Sequence, residues 1–141
     1  MNNVERTLVI IKPDATKKKL EDKIISLYAM NGLNIVEHKR VTAPKEILEK
    51  HYGIHKEKPF YPSLVEFMQS GDVVILVLEG DGIIEKVRNI HGNTNPELAE
   101  EGTIRKLYGT DKQQNAVHAS DSIESAEFEI EIWSPLLRNV S

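Results

Sequence analysis

His118 lies in a short window of small and hydrogen-bonding residues, with Asn115 just before it and Ser120 just after it. A histidine whose pKa is near neutrality can attack phosphorus directly when one ring nitrogen is free and the other donates to a fixed carboxylate. Glu129, further along the chain, is a carboxylate that could orient the ring in this way. A buried histidine whose ring bonds to Ser120 or to the backbone would show the same window, so composition alone leaves both interpretations open.

Further side chains that suit an anionic ligand are spread along the sequence, namely Lys12, Arg88, Thr94 and Arg105. Lys12 follows an apolar run and precedes a proline, so an extended backbone brings its ammonium group to a sheet edge, where ligands commonly bind. Taken singly, such residues are more often solvated side chains or members of weak surface ion pairs. The sequence contains neither of the two common glycine-rich phosphate-binding motifs, so any phosphate site must be built from side chains.

The other histidines show weaker patterns. His51 and His55 have a spacing that would let them face one metal ion on a helix, but Gly53 interrupts it and no third ligand is evident, so we expect no zinc site. His38 lies among charged residues on an exposed strand, and His91 comes at a helix end, where a cation interacts favourably with the helix dipole. We interpret these last two as structural residues.

Composition is typical of a globular protein with a single domain, which we place at residues 1–141. The net charge of −4 argues against a sequence-independent nucleic-acid binder, because such binding depends on Lys and Arg that neutralise phosphates. There is no cysteine for a disulfide or a thiolate metal site. No apolar run reaches the roughly 18 residues that a membrane span needs, and no basic region leads into an apolar leader, so we expect a cytoplasmic location.

The elements that must position these residues follow from the apolar patterning of the chain. Continuous apolar runs predict strands buried on both faces over residues 7–11 and 72–79, the second of them central in its sheet. A strand with more polar edges is predicted over residues 33–41. Apolar residues at helical spacing, with proline or glycine at the ends, predict helices over residues 20–28, 44–52 and 60–68.

The second half of the chain is harder to assign. We take Asp81 as the N-cap of a helix over residues 83–90 that ends at a histidine and a glycine. Residues 92–115 lack periodicity, and we expect such a long connection to be functional. Residues 128–132 alternate like a strand, whereas residues 121–124 offer a helix cap, and the local pattern leaves both open. The order of elements predicts an α+β fold of the split βαβ kind, one sheet layer covered by helices.

Three segments together resemble the nucleoside diphosphate kinase family: residues 5–14, residues 102–105, and the window 115–122. The resemblance runs nearly end to end, because residues 51–52, 59–60, 70–71, 92–96 and 124–129 agree in order and spacing. It implies a ferredoxin-like α/β sandwich with a four-stranded antiparallel sheet, and it makes the C-terminal segment a helix. The chain ends at Ser141, soon after Trp133, which resembles bacterial-type members with a short C-terminus.

The same resemblance implies an enzyme, a phosphotransferase that moves the γ-phosphate of a nucleoside triphosphate to a nucleoside diphosphate. His118 takes the phosphate first and passes it on, which implies ping-pong kinetics and a phosphohistidine intermediate. The residues that match the phosphate-contacting positions are Lys12, Arg88, Thr94 and Arg105, with Tyr52 beside them. The residues that match those around the ribose 3′-hydroxyl are Lys12 and Asn115, and those that hold the imidazole are Ser120 and Glu129.

The resemblance also implies how the rest of the nucleotide is bound. Phe60 and Leu64 form a clamp that stacks on the base without reading its edges, which gives broad base specificity. Mg²⁺ is carried on the phosphates, and we name no protein metal ligand. The expected partners are nucleoside di- and triphosphates, whose cellular pools the enzyme maintains. Further copies of the chain form a homo-oligomer, a tetramer or a hexamer, and neither a membrane nor a specific nucleic acid is expected.

The sequence departs from the family pattern at a few positions. Lys18 and Asp22 replace an arginine and a glycine that are common in the family, and we expect an effect on packing or assembly contacts. Lys112 stands where many members place an apolar residue against the base, so its alkyl stem must serve there. An RNA-binding module would need exposed aromatic residues on its central strands, and residues 7–11 and 73–78 have none. An inactive family member is disfavoured because every matched site position is filled.

Overall fold

The computed structural model describes residues 4–137, which form one antiparallel sheet with helices on both faces. The strands are β1 (Val4–Ile11), β2 (Asn34–Val41), β3 (Val73–Asp81) and β4 (Val117–Ala119), in the spatial order β2-β3-β1-β4. Each neighbouring pair is antiparallel. The predicted α+β fold with a four-stranded antiparallel sheet is therefore confirmed, and β3 lies inside the sheet as predicted.

The helices connect the strands and cover the sheet. They are α1 (Pro13–Lys17), α2 (Glu21–Met30), α3 (Lys45–His51), α4 (Tyr61–Met68), α5 (Ile83–His91), α6 (Ile104–Tyr108) and α7 (Ile123–Leu137), with 3₁₀ turns at Gly53–His55 and Pro96–Leu98. Proline lies in the first turn of α1 and of α4, where a missing N–H costs nothing. The helices predicted over residues 20–28, 44–52 and 60–68 are confirmed. Among residues 4–137, no helix is both long enough and apolar enough to pass through a membrane.

β1 and β3 are buried on both faces because each face of the sheet has its own apolar core. One core contains Val9 and Leu76 and is covered mainly by α2 and α5. The other contains Ile10 and Ile75 and is covered by α3, α4 and α7. This double burial explains the continuous apolar runs of the two strands. Because helices cover both faces of β1 and β3, neither face is open to RNA, whereas an RNA-binding module of this fold needs an open sheet face.

One local prediction was wrong, and two elements were not predicted. Asp81 is the last residue of β3, and the N-cap of α5 is Gly82, whose φ of 64° is a conformation that suits glycine. Residues 128–132 belong to α7, as the family resemblance implied, and their alternation does not produce a strand. The fourth strand is instead β4, whose three residues are too short to give a pattern and are held by pairing with β1. Helix α1, just after β1, was not predicted.

The side chains of Lys18 and Asp22 are both exposed, at the end of α1 and the start of α2. They therefore take no part in either apolar core. An effect of these two departures on assembly contacts stays a prediction.

Candidate active site

β4 places His118 next to the end of β1. His118 is the middle residue of β4 and lies opposite Ile10 in the antiparallel register. Just before β4, Ala116 has a φ of 75°, which is unusual for a residue with a side chain. Its carbonyl accepts a bond of 2.8 Å from the Lys12 amide, and its amide donates to the Asp14 carboxylate at 3.1 Å. These bonds fix the backbone that carries His118 against the residues that follow β1.

The His118 ring is held by a carboxylate from α7. Its Nε2 lies 2.8 Å from Oε1 of Glu129, and the same oxygen accepts a 2.9 Å bond from the Ser120 hydroxyl. The Ser120 oxygen accepts in turn from the amide of Leu8 on β1. Because a carboxylate is an acceptor, Nε2 carries the proton of the neutral ring. Nδ1 is then the nitrogen with a free lone pair.

The sequence-predicted site residues are brought together around two adjoining cavities. The first has a volume of about 350 Å³ and is lined, among others, by Lys12, Tyr52, Arg88, Thr94, Arg105, Asn115, His118 and Glu129. The second, of about 470 Å³, is more apolar and adds Phe60 and Leu64 to several of the same residues. Ser120 lies behind the first cavity, against Glu129. A larger groove between β1 and α7 is lined by four glutamates and one arginine, so its charge does not suit an anion.

Lys12 is buried and lines the first cavity. Its Nζ donates to Oδ1 of Asn115 at 2.8 Å and to the Gln113 carbonyl at 3.3 Å. Asn115 donates its amide protons to the carbonyls of Thr94 and Lys112, both at 3.0 Å, which ties two parts of the long connection together. Burial, and to a lesser extent the charge of Arg105, lowers the pKa of Lys12 to about 8.

Arg105, at the start of α6, is fixed by the backbone on either side. Its two terminal nitrogens donate at 2.9 Å to the carbonyls of Gly92 and Val117. Burial and the nearby charge of Arg88 lower its pKa to about 10. Gly92 is required here, because its φ is 86° and an added Cβ would lie 2.6 Å from the hydroxyl of Thr103. Lys12, Arg88 and Arg105 line one cavity, and not every one of them has a carboxylate partner. Such a group of cations is typical of a site that binds an anion.

His51 belongs to the site, and sequence analysis missed this. It ends α3, and its Nδ1 accepts a buried 2.9 Å hydrogen bond from the indole N–H of Trp133. Its ring centroid lies 4.8 Å from that of His118, with the two rings nearly perpendicular. The His55 ring, whose spacing from His51 suggested a shared face, packs against Phe60 instead. No local signal could have found a contact with Trp133 across so many residues.

The cluster of His51, His118 and Glu129 is the only group of three or more His, Asp or Glu side chains among residues 4–137 that lie close enough to share a metal ion. One ligand atom from each lies within 4.8 Å of the others. Nδ1 of His51 accepts the indole proton, so Nε2 carries the proton of that ring and offers no lone pair. His118 and Glu129 are bonded to each other. The protonation pattern therefore suits hydrogen bonding better than metal coordination.

His91 is structural, but the reason given from the sequence was wrong. The ring is fully buried, and its Nε2 lies 2.6 Å from the hydroxyl of Tyr28. Burial, with the charge of Arg105, holds the pKa of His91 well below its usual value, so the ring is neutral and not a cation at the helix end. His38 is exposed on β2, as predicted.

The family model described as nucleoside diphosphate kinase matches residues 5–136 of the chain. A protein of Persephonella marina named nucleoside diphosphate kinase is 52% identical over 128 residues, which cover 91% of each chain. A protein of Campylobacter jejuni subsp. jejuni with the same name is 50% identical over 130 residues, covering 92% of this chain and 95% of the relative.

Solved structures of the same family have the same fold. The nucleoside diphosphate kinase of Aquifex aeolicus is 46% identical with a TM-score of 0.88, covering 92% of this chain and 94% of that one. The enzyme of Encephalitozoon cuniculi is 40% identical with a TM-score of 0.90, covering 97% and 94%. The chain belongs to the nucleoside diphosphate kinase family, and it transfers phosphate from a nucleoside triphosphate to a nucleoside diphosphate.

Proposed function

We propose that the transfer proceeds in two steps through a phosphate carried on Nδ1 of His118. The observation that carries the proposal is that Glu129 holds Nε2 while the ring lines a cavity with Lys12, Arg88 and Arg105. First, the Nδ1 lone pair attacks the γ-phosphorus, and the bond from phosphorus to the bridging oxygen breaks, which releases the diphosphate. Then a terminal oxygen of a second diphosphate attacks the same phosphorus, and the P–N bond breaks.

Glu129 is proposed to stabilise the ring during the first step. As the P–N bond forms, positive charge develops on the imidazole, and a carboxylate at Nε2 lowers the free energy of that state. Ser120 donates to the same carboxylate oxygen and is itself fixed by the backbone of β1. The ring, the carboxylate and the hydroxyl are therefore in place before the substrate arrives, so little reorganisation is needed in the transition state.

The phosphate chain is proposed to contact Lys12, Arg88, Thr94 and Arg105. Burial disfavours the charges of Lys12 and Arg105 without a ligand, and so does repulsion, from Arg105 on Lys12 and from Arg88 on Arg105. A polyphosphate would offset both costs. Tyr52 would donate from its hydroxyl, because burial raises the pKa of this phenol and keeps it protonated. Asn115 and Lys12, already bonded to each other, would contact the ribose 3′-hydroxyl.

The base is proposed to lie in the second cavity, between Phe60 and the loop that carries Lys112. Phe60 is 46% exposed, so its side chain is accessible to a base that stacks on the ring. Leu64, at the edge of the apolar core, would close one side. Lys112 is exposed and lines both cavities, so its alkyl stem would cover the base from the other side. Stacking without contacts to base edges would accept every base.

Replacing Phe60 with alanine is expected to raise the KM for the nucleotide about tenfold and to change kcat little. The size follows from base–aromatic stacking, which contributes about 1–3 kcal/mol per base. Steady-state kinetics with several nucleotide pairs would measure it. Phe128→Ala is the matched control, because this phenylalanine is also exposed, on α7, and lines neither cavity. Equal effects of the two substitutions would contradict the base clamp.

Mg²⁺ is proposed to arrive on the nucleotide phosphates. This ion prefers oxygen ligands and keeps several waters. The carboxylate of Glu129 is already bonded to His118 and Ser120, and the other side chains that face it from the cavity are largely cationic or neutral. These side chains fit an ion that is held mainly by phosphate oxygens. The ion would neutralise part of the negative charge of the phosphates during transfer.

The protein is proposed to form a homo-oligomer. β2 is an edge strand of eight residues, and Val36 on it is exposed. A long edge strand presents unpaired backbone groups, and pairing with the same strand of a second copy would satisfy them. Light scattering in solution is expected to give a multiple of 16.0 kDa, fourfold for a tetramer or sixfold for a hexamer. A mass of 16.0 kDa would contradict the proposal.

Incubation with γ-labelled ATP tests the proposed mechanism. The label should become bound to the protein, resist alkali and be released by acid, as expected of a phosphate on nitrogen. Adding an unlabelled nucleoside diphosphate should then move the label to a new triphosphate, without the first nucleotide present. A protein that never becomes labelled would fit an inactive family member. In this proposal one domain, residues 1–141, carries the activity. The activity maintains the cellular pools of nucleoside triphosphates. A cytoplasmic location stays a prediction.

A further inference from the structure

His51 lies between a buried indole and the ring of His118. Trp133 donates to its Nδ1 at 2.9 Å, and both side chains are buried. The His51 ring meets the rings of Tyr52 and His118 nearly edge to face, with centroid distances of 4.5 Å and 4.8 Å. His51 also lines the cavity that contains His118 and Glu129. It is therefore packed against the proposed nucleophile on one side and anchored to α7 on the other.

The contacts of His51 define its protonation. Because Nδ1 accepts the indole proton, the neutral ring carries its own proton on Nε2. Burial, with the nearby charge of Lys12, holds the pKa of His51 well below its usual value, so the ring stays neutral. A neutral ring adds no charge beside His118 that would weaken the nucleophile. Its edge remains a rigid surface in a single orientation.

Simple core packing does not explain this arrangement. An apolar side chain at position 51 would fill space without requiring a hydrogen-bond partner, whereas a buried imidazole and a buried indole N–H each need one. The two polar groups satisfy each other across the interface between α3 and α7. The helix that supplies Trp133 also supplies Glu129, so the group that holds His51 and the group that holds His118 move together.

We propose that His51, oriented by Trp133, is a positioning residue that keeps the His118 ring turned with Nε2 on Glu129 and Nδ1 in the cavity. The inference rests on the proposed function, in which Nδ1 of His118 takes the phosphate. Glu129 fixes one atom of the ring, and a single hydrogen bond leaves the ring some freedom to turn about its Cβ–Cγ bond. A second ring packed against His118 at 4.8 Å, nearly perpendicular to it, removes this freedom. A ring that turned away would lose the Glu129 bond and could present Nε2 to the phosphate.

The test compares which nitrogen becomes phosphorylated, and how fast, in two variants. In His51→Asn, the amide oxygen can still accept the indole proton, but the ring that contacts His118 is gone. In Trp133→Phe, the His51 ring stays and loses the donor that orients it. Leu48→Val is the control, because Leu48 is a buried residue on the same helix that lies in the apolar core. Each protein is mixed with γ-labelled ATP in a single turnover, and ³¹P NMR distinguishes phosphate on Nδ1 from phosphate on Nε2.

Wild type and the Leu48→Val control are expected to carry phosphate on Nδ1 only. His51→Asn is expected to react about tenfold more slowly or worse, the size of effect that a misplaced reacting group produces, with part of the phosphate on Nε2. Trp133→Phe should also react more slowly and carry some phosphate on Nε2, but to a smaller extent. If His51→Asn does not fold, the result for Trp133→Phe alone tests the inference. Wild-type rates with Nδ1 phosphate alone in both variants would overturn the inference. An unlabelled wild-type protein would instead overturn the proposed function, and this inference with it.

Discussion

Replacing His118 with glutamine is expected to lower phosphate transfer by at least about 10⁴-fold, the scale seen when a covalent nucleophile is removed. Glutamine has no basic nitrogen, so no phosphate can be attached there. Its amide N–H can still donate to Glu129, which preserves the acceptor bonds of that carboxylate. The measurements are the steady-state rate with a nucleoside triphosphate and a different diphosphate, and the amount of label bound after incubation with γ-labelled ATP.

Thermal unfolding of the variant controls for damage to the fold. Because His118 is only half-buried on the short strand β4, the substitution should leave the unfolding temperature close to that of the wild type. A variant that still binds label in the same chemical form would show that another residue carries the phosphate. A variant that unfolds early would require the comparison to be repeated at lower temperature, where it is folded.

Replacing Lys12 with methionine is expected to lower kcat/KM by about 10²–10³-fold, the effect of removing one charged donor from a transition-state site. Methionine keeps most of the volume of the buried side chain, but it loses the charge and the bond to Asn115. In the wild type, Lys12 is charged below its pKa of about 8 and neutral above it. The wild-type kcat/KM should therefore fall as pH rises through about 8, and this fall should disappear in the variant. An identical profile in both proteins would assign the titration to another group.

The same pKa has a consequence for the nucleotide-free protein. Burial lowers the pKa of Lys12 in the folded chain from 10.5 to about 8, so between these values the folded state binds fewer protons than the unfolded state. The free energy of unfolding then rises with pH across that window, because the cost of the buried charge is removed as the proton leaves. Thermal unfolding as a function of pH, compared with Lys12→Met, would show this rise only in the wild type.

Much of the fold could be predicted because the signals were local. Continuous apolar runs mark β1 and β3, since strands buried on both faces need them, and proline or glycine marks the ends of α2 and α4. β4 was not predictable from pattern, because three residues are too few and their strand conformation depends on pairing with β1. The alternation in α7 misled because glutamates at every second position happen to mimic the period of a strand.

The site was predictable only where types of residue match known chemistry. His118, Lys12 and the two arginines were assigned as candidates from type and motif, and the structure places them around one cavity. His51 was missed because its importance depends on a tertiary contact with Trp133, which no spacing along the chain can indicate. The tautomers of the two rings likewise depend on which groups face each nitrogen, and these come from separate elements.

Glu129 and Trp133, which hold the two histidine rings, come after the strands of the sheet in the order of synthesis. The strand that carries the proposed nucleophile, β4, pairs with β1, whereas the carboxylate and the indole that fix the two histidine rings lie on α7. A ribosome makes α7 after all four strands, so a nascent chain that has folded its sheet still lacks both anchors. The proposed nucleophile is thus held in place only once α7 has been made, and nascent chains that lack α7 are expected not to consume nucleoside triphosphates.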